Sequence, residues 1–204
     1  MYLTHDRQYL FVPAHEAPIA SQLGARWCHH ERCWYVKKSA DLAAFSPWIP
    51  YKEGDELDVI CDAAYVAELS VACQHCSRAT KVICIHCRGG LAGGHPYRLL
   101  TATAPNAVDD GLARWLKHYH PQFRKVRVPA EFSAGCDPKP ERPVFVYVNH
   151  CEHCGTIHDQ MYPEKEWDDV FNWWPDGERE GGGKVTLTAI PGTVKLGGDL
   201  NFIA

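Results

Sequence analysis

The sequence lacks any apolar run of the length that a membrane-spanning helix requires. Such a helix needs roughly 20 consecutive apolar residues, and no stretch of the 204-residue chain approaches that length. Residues 1–7 also lack the charged segment followed by an apolar segment that marks a secretion signal. We therefore expect no membrane partner.

An excess of positive charge is also missing. Lysine and arginine together number 21, aspartate and glutamate number 25, and the formal net charge is -4 at pH 7. This balance argues against a strongly basic protein that binds nucleic acid over most of its surface. Any contact with nucleic acid must therefore come from a local basic patch.

Common catalytic motifs are absent as well. The sequence contains no Gly-x-Ser-x-Gly, no His-Glu-x-x-His and no Walker loop, and it lacks the His-x-Glu and Pro-Cys-x-x-Cys combination of zinc deaminases. We therefore expect a binding protein rather than an enzyme. The alternative is a nuclease that uses a cluster of histidines, His150, His153 and His158.

Cysteine, by contrast, is abundant, with ten residues in the chain. In the absence of a secretion signal, this number indicates a reducing compartment, where metal binding is favoured over disulfide formation. We therefore expect a cytoplasmic protein in which some of the cysteines bind a metal ion.

Four of the cysteines form two Cys-x-x-Cys pairs, Cys73 with Cys76 and Cys151 with Cys154. Each pair follows a strand-like apolar run, and Gly155 stands where such a turn often needs a positive φ. Thiolates suit Zn²⁺, which takes four ligands at tetrahedral angles. The sequence therefore predicts one structural Zn²⁺ site, closed to substrate water because all four positions are filled.

Other cysteines offer alternative ligands. Cys84 and Cys87 could complete a local site with the first pair, or join a larger cluster. Alternate residues of a strand face opposite sides, so the odd step between Cys84 and Cys87 points their sulfurs apart unless the strand ends at Cys84. The segment from Cys28 to Cys33, with His29 and His30, has the residue types of a second metal site. We interpret it as a polar turn with a half-buried cysteine.

Residues 8–50 carry the pattern of a small unit, with a strand at 9–13, a helix at 15–23, a strand at 33–36 and a brief helix that Ser39 could cap. The segments that identify it are Leu10-Phe11-Val12-Pro13, Leu23-Gly24-Ala25-Arg26-Trp27, Trp34-Tyr35-Val36, Asp41-Leu42-Ala43-Ala44-Phe45 and Trp48-Ile49-Pro50. In these segments the chain resembles a bacterial domain of unknown function found in proteins of plasmids and other mobile elements, including conjugative-plasmid primases. The resemblance implies a mobile-element setting and no particular activity.

A second resemblance concerns the cysteine pairs. The segment Asn149-His150-Cys151-Glu152-His153-Cys154-Gly155, preceded by a strand with Cys73-x-x-Cys76, resembles a zinc-ribbon region that follows this module in similar proteins. It implies an antiparallel zinc-ribbon-type sheet, and it does not cover residues 88–142.

The main helix is predicted at residues 109–120, where Asp109 can cap the first turn and apolar residues recur at helical spacing. This helix and the segment after it form the most basic stretch of the chain. Basic residues interleaved with aromatic ones can follow a nucleic-acid backbone and stack on bases, although a solvated surface is the common alternative. The candidate nucleic-acid contacts are Arg114, Lys117, Tyr119, Phe123, Arg124, Lys125 and Arg127.

We expect an α+β protein with two domains. A small tryptophan-rich βαβ-like module at residues 1–50 precedes an antiparallel zinc-ribbon-type sheet with one main helix at residues 59–204. Polar residues 51–60 suggest a linker, residues 89–94 and 133–143 suggest loops, and residues 185–196 suggest a terminal hairpin. Aromatic residues at 167–174 are a candidate surface for a protein partner.

Overall fold

The computed structural model of the protein describes residues 6–50, 57–102, 104–128, 144–158, 185–197 and 201–203. Within these ranges the chain is mixed α and β, with antiparallel sheets and few helices. The α-helices are α1 (Ala17–Gln22) and α2 (Asp110–Tyr119). The strands are β1 (Arg7–Leu10), β2 (Arg26–Cys28), β3 (Cys33–Lys37), β4 (Val59–Cys61), β5 (Ala64–Ala72), β6 (Ala79–Ala92), β7 (His95–Ala102), β8 (Ala107–Val108), β9 (Phe123–Val128), β10 (Val144–Asn149), β11 (Thr186–Ile190), β12 (Val194–Gly197) and β13 (Asn201–Ile203).

The N-terminal module is a three-stranded antiparallel sheet in the order β1-β3-β2, covered on one face by short helices. The βαβ-like chain order is present, but β2 pairs with β3 and not with β1. The brief second helix is a 3-10 helix at Leu42–Trp48, which Asp41 caps by accepting a hydrogen bond from the N–H of Ala43. The expected cap, Ser39, lies outside it, because the helix begins two residues later than the sequence suggested.

The other face of this small sheet packs against the rest of the chain. Tyr9 and Cys33 form a buried apolar cluster with Ile60 of β4 and Leu91 of β6. The ring centroid of Tyr9 lies 6.4 Å from that of His95 in β7. The module is therefore joined to the larger sheet through apolar contacts, and the division into two domains stays a prediction.

β5 and β6 form the long hairpin at the centre of the larger sheet. Their register runs from Ala64 opposite Cys87 to Ala72 opposite Ala79. β4 pairs with the end of β6, and β7 pairs along the opposite edge of β6. The sheet order is β11-β5-β6-β4-β12-β8, with β7 beside β6 and β13 beside β7. The turn of the β5–β6 hairpin carries the first cysteine pair.

The glycine-rich segment at residues 89–94 is mostly strand, not the expected loop. β6 continues to Ala92, and the turn falls at Gly93 and Gly94. Gly90 has a φ of +152°, and a Cβ there would lie 2.2 Å from the carbonyl oxygen of Ile60. β4 approaches so closely at this point that only glycine fits, so Gly90 serves strand packing.

The predicted main helix is confirmed as α2. Its cap is Asp109, whose Oδ1 accepts a hydrogen bond from the N–H of Leu112 at 2.9 Å. Leu112 and Leu116 are 2% and 1% exposed and enter the main core, which lies between α2, the β9–β10 pair and one face of the larger sheet. Burial of each leucine contributes about 2 kcal/mol. The amphipathic pattern read from the sequence therefore packs as expected.

The expected terminal hairpin is wrong in its pairing, although both strands exist. β11 pairs with β5, whereas β12 pairs with β4 and β8. The turn at Pro191 and Gly192 therefore leads from one pairing partner to the next, because β4 and β5 lie end to end along β6 and each offers a free edge.

In the described ranges, no helix is both long enough and apolar enough to span a membrane. Residues 129–143 and 159–184, which include the predicted loop and the tryptophan-rich segment, lie outside the described residues.

Candidate metal centre

The first Cys-x-x-Cys turn connects β5 to β6. The N–H of Cys73 donates to the carbonyl of Arg78 at 2.9 Å, and the N–H of Ser77 donates to the carbonyl of Cys73 at 2.7 Å. Ser77 has a φ of 59°, in the left-handed region that closes such a turn. Cys73 is buried and Cys76 is half-buried.

The second Cys-x-x-Cys turn follows β10 and repeats this backbone pattern. The N–H of Cys151 donates to the carbonyl of Thr156 at 2.8 Å, and the N–H of Gly155 donates to the carbonyl of Cys151 at 2.9 Å. Gly155 has a φ of 74° and stands where Ser77 stands in the first turn. The positive φ expected at Gly155 is thus confirmed, and the two turns present their sulfurs in the same way.

The four sulfurs converge. They all lie within 4.8 Å of one another, and they are the only group of three or more possible metal ligands in the described part of the chain. The Sγ of Cys73 is 3.6 Å from that of Cys154, and the Sγ of Cys76 is 3.7 Å from that of Cys151. Sulfurs bound to Zn²⁺ at about 2.3 Å and tetrahedral angles are about 3.8 Å apart. The cluster therefore has the dimensions needed to hold a metal ion.

The surroundings of Cys151 favour its thiolate. Burial raises the pKa of Cys151, but hydrogen bonds from the backbone N–H groups of Cys154 and His153 lower it by more, to about 5. A hydrogen bond from the backbone of Arg78 lowers the pKa of Cys76, but burial and contact with the other three sulfurs raise it by more, so the cluster favours a shared proton when no metal is bound. The N–H of His153 lies 3.4 Å from the sulfur. Because metal ions bind the deprotonated form of cysteine, hydrogen bonds that stabilise the thiolate favour binding.

Hydrogen bonds between the second turn and β6 hold the two turns together. The N–H of Glu152 donates to Thr80 Oγ1 at 3.0 Å, and the N–H of Lys81 donates to the Glu152 carboxylate at 3.3 Å. His153 Nε2 lies 2.8 Å from the carbonyl oxygen of Ala79. These contacts hold the second pair of sulfurs beside the first.

Asn149 extends the sheet next to the centre. Its side-chain Oδ1 accepts from the N–H of Ile83 at 2.8 Å, and its Nδ2 donates to the carbonyl of Ile83 at 2.9 Å. β7 ends its pairing with β6 at Ile85, opposite Ala102. At Ile83, two residues before Ile85, the carboxamide of Asn149 therefore makes the two backbone hydrogen bonds that a neighbouring strand would make. Asn149 is fully buried there.

The three histidines of the nuclease alternative lie around the second turn. His150 is 5% exposed, and its Nδ1 is 3.1 Å from the carbonyl oxygens of both Gln122 and Val148. Burial and the neighbouring Arg124 lower the pKa of His150, so at neutral pH the ring is uncharged and donates from Nδ1. His158 is 2% exposed.

A cavity of about 370 Å³ opens beside the second turn. It is lined by Pro121, Gln122, Arg124, His150, Cys151, Glu152 and Gly155. Arg124 thus faces the candidate metal centre rather than the surface that carries the other basic residues of β9.

Cys84 and Cys87 do not reach the centre. β6 continues past both residues, and they face opposite sides of the sheet as the strand argument predicted. Cys84 packs with Ala67 and Val82, whereas Cys87 packs in the main core. The local site built from the first and third pairs is therefore excluded. Cys33 is buried, which raises its pKa to about 12, and in the described part of the chain neither Cys28 nor Cys33 belongs to a group of three or more possible metal ligands.

His86 is a buried histidine that sequence reasoning did not single out. Its Nδ1 is 2.9 Å from Thr101 Oγ1 and its Nε2 is 3.4 Å from Cys84 Sγ. Thr101 is directly opposite in the register, and Cys84 lies two residues away on the same face. The three side chains form a buried polar network, in which burial lowers the pKa of His86 to about 4.

This network makes stability depend on pH. The pKa of His86 is lower in the folded than in the unfolded protein, so the unfolded state binds the proton first as the pH falls. The free energy of unfolding has its full value above about pH 6.5, and it falls by roughly 3 kcal/mol as the pH is lowered from about 6.5 to about 4. Urea unfolding at several pH values measures it. The free energy of unfolding should change less with pH in His86→Gln than in the unaltered protein. An equal pH dependence in both proteins would contradict this assignment.

The candidate nucleic-acid residues fall into three groups. Arg114, Lys117 and Tyr119 are exposed on α2, and Tyr119 is 60% exposed with its ring 5.0 Å from that of Trp115. Lys125 and Arg127 are exposed on one face of β9, while Arg124 is exposed on the other. Phe123 is 1% exposed and belongs to the main core. Phe123 is therefore withdrawn as a contact, because a buried ring cannot stack on a base.

Two aromatic residues near these cations were missed by the sequence reasoning. Phe145 and Tyr147 lie on β10, opposite Arg127 and Lys125. The sequence signal was an alternation of aromatic residues in the run Val144–Val148, but the pairing of that run with the basic segment was not predictable from spacing.

Comparison with known proteins concerns the N-terminal module. A segment of 43 residues is 44% identical to part of DNA primase TraC from Escherichia coli, covering 21% of this chain and 3% of that protein. A second E. coli protein of the same name is 46% identical over 43 residues, or 4% of its length. No solved structure matches the chain. Residues 7–50 match the model of a domain of unknown function, DUF5710, which confirms the resemblance read from the sequence.

Proposed function

We propose that the protein is a non-enzymatic accessory protein of a mobile element that binds nucleic acid, and that a structural Zn²⁺ stabilises its larger sheet. The observation that carries the structural part is the convergence of Cys73, Cys76, Cys151 and Cys154 at the spacing of a tetrahedron. Four thiolates favour Zn²⁺ among the common metals and leave no position for a substrate. The two matching turns support a zinc-ribbon type of centre.

Two observations support the nucleic-acid part. Residues 7–50 are similar to a segment of DNA primases, although the chain spans only 3% and 4% of the length of those relatives. The second observation is the exposed basic set on α2 and on one face of β9, which comprises Arg114, Lys117, Lys125 and Arg127. A local basic surface fits a protein whose overall charge is negative.

Binding should be strongly dependent on salt. If these four cations each contact a phosphate, log K should fall with log salt with a slope of about -2.8 for single strands, since each contact contributes about -0.7. Affinity should then drop about fiftyfold between roughly 50 and 200 mM salt. Fluorescence anisotropy with labelled DNA and RNA, single-stranded and duplex, measures this. Absence of binding to every form at low salt would refute the nucleic-acid part.

A further inference from the structure

The β9–β10 pair carries basic and aromatic side chains on one face. Lys125 is opposite Tyr147, and Arg127 is opposite Phe145, in the antiparallel register. Directly opposite residues of an antiparallel pair lie on the same face. We refer to Lys125, Arg127, Phe145 and Tyr147 as the ribbon face.

Three of the four side chains of the ribbon face are exposed to solvent, and Tyr147 is half-buried against the main core. Phe145 is 49% exposed, and both Lys125 and Arg127 are exposed. The Nζ of Lys125 lies 5.8 Å from the ring centroid of Phe145 and 5.9 Å from that of Tyr147. A cation at this distance is attracted to the rings. The face therefore offers aromatic surface and positive charge side by side.

Tyr147 is held firmly at one end of the ribbon face. Its ring stacks on Phe123 of the main core with a centroid separation of 5.9 Å. Burial and the nearby carboxylate of Asp110 raise the pKa of Tyr147, so its hydroxyl stays neutral. Asp110 puts negative charge at the Tyr147 end, so we expect phosphate contacts to be strongest at the Arg127 end, next to Phe145.

We propose that the ribbon face binds single-stranded nucleic acid, with bases stacked on Phe145 and Tyr147 and phosphates bound by Lys125 and Arg127. This inference rests on the proposed function and names its strand form and its contact residues. A base within a duplex has neighbours on both sides, so only an unpaired base can stack on a side chain. Alternate residues of a strand are about 7 Å apart, which lets two rings and two cations follow successive nucleotides.

The test compares the affinity of the protein for a labelled oligo-dT of about 20 nucleotides with its affinity for a duplex of equal length. This length exceeds the site sizes of roughly 4–16 nucleotides known for single-strand binders. Phe145→Ala should weaken single-strand binding about five- to a hundredfold, without changing the salt slope or duplex binding. Lys125→Gln and Arg127→Gln should each make the slope less steep by about 0.7. A loss of affinity at constant salt slope therefore reports base stacking on Phe145, whereas a less steep salt slope reports phosphate contacts of Lys125 and Arg127.

Two matched controls lie away from the ribbon face. Leu187→Ala removes an apolar side chain that is 45% exposed on β11, and Lys195→Gln removes an exposed cation on β12. Both should bind as the unaltered protein does. Equal thermal unfolding of all variants shows that each one folds.

The outcomes separate the two proposals. If the unaltered protein binds no nucleic acid, the proposed function fails and the ribbon assignment fails with it. If it binds, but all three ribbon variants keep the original affinity and slope, only the ribbon assignment is overturned. If duplex binds as tightly as oligo-dT and Phe145→Ala weakens neither, the preference for single strands is wrong.

Discussion

Chelation of zinc from the purified protein is expected to unfold the larger sheet around the turns at residues 73–76 and 151–154. Binding of a structural Zn²⁺ contributes on the order of 10 kcal/mol, which is comparable with the whole free energy of unfolding of a typical domain, about 5–15 kcal/mol. The hydrogen bonds of Glu152 with Thr80 and Lys81, and of His153 with Ala79, would then still join the second turn to β6, but each contributes only about 1 kcal/mol. Metal analysis should find one equivalent of zinc per chain, and circular dichroism should follow the loss of structure.

Cysteine variants provide the control for this experiment. Cys76→Ser and Cys151→Ser should each lose the metal ion and most of the stability, because each removes one corner of the sulfur cluster. Cys28→Ser makes the same chemical change in the N-terminal module, where Cys28 is half-buried, and should keep the zinc. A metal-free protein that is fully folded, or a Cys151→Ser variant with a full equivalent of zinc, would contradict the proposed centre.

Replacing Asn149 by alanine is expected to lower the free energy of unfolding by about 4 kcal/mol, without removing any sulfur. The substitution leaves the N–H and the carbonyl of Ile83 without their hydrogen-bond partners. Ile83 is fully buried, so water cannot replace the lost amide, and each unsatisfied group costs roughly 1–3 kcal/mol. Urea denaturation of the zinc-loaded protein measures the change.

Asn106→Ala serves as the comparison for Asn149→Ala. Asn106 is half-buried, and its backbone N–H, which alanine keeps, donates to the carbonyl of Gly197 at 2.9 Å. A small effect is therefore expected there. If Asn149→Ala were no more destabilising than Asn106→Ala, the carboxamide would not be replacing a strand partner.

The two cysteine turns of the candidate metal centre and the N-terminal module are the parts that local sequence could predict. A Cys-x-x-Cys turn and the residues that close it lie within six positions of each other, so their geometry depends on neighbours along the chain. The same holds for Asp109, which caps the first turn of α2. The odd step between Cys84 and Cys87 was likewise sufficient to predict that their sulfurs face apart, because a strand alternates its side chains.

Pairing between distant segments was not predictable in this way. Residues around Pro191 and Gly192 have the pattern of a hairpin, yet both strands pair elsewhere, because edges of β4 and β5 were available. Gly90 reads as part of a flexible loop, but the close approach of Ile60 explains it. Phe123 reads as an exposed aromatic beside cations, and only the packing of α2 and β9 on the sheet shows that it is buried.

The amino-acid sequence alone predicted the four cysteines that converge, the main helix and the relationship of residues 7–50 to a known module. Tertiary structure alone decided that Phe145 and Tyr147 share a face with Lys125 and Arg127, and that Asn149 completes the edge of β6. The physical reason is the range of the interactions. Turn closure and helix capping act over a few residues, whereas strand register and burial depend on partners far along the chain.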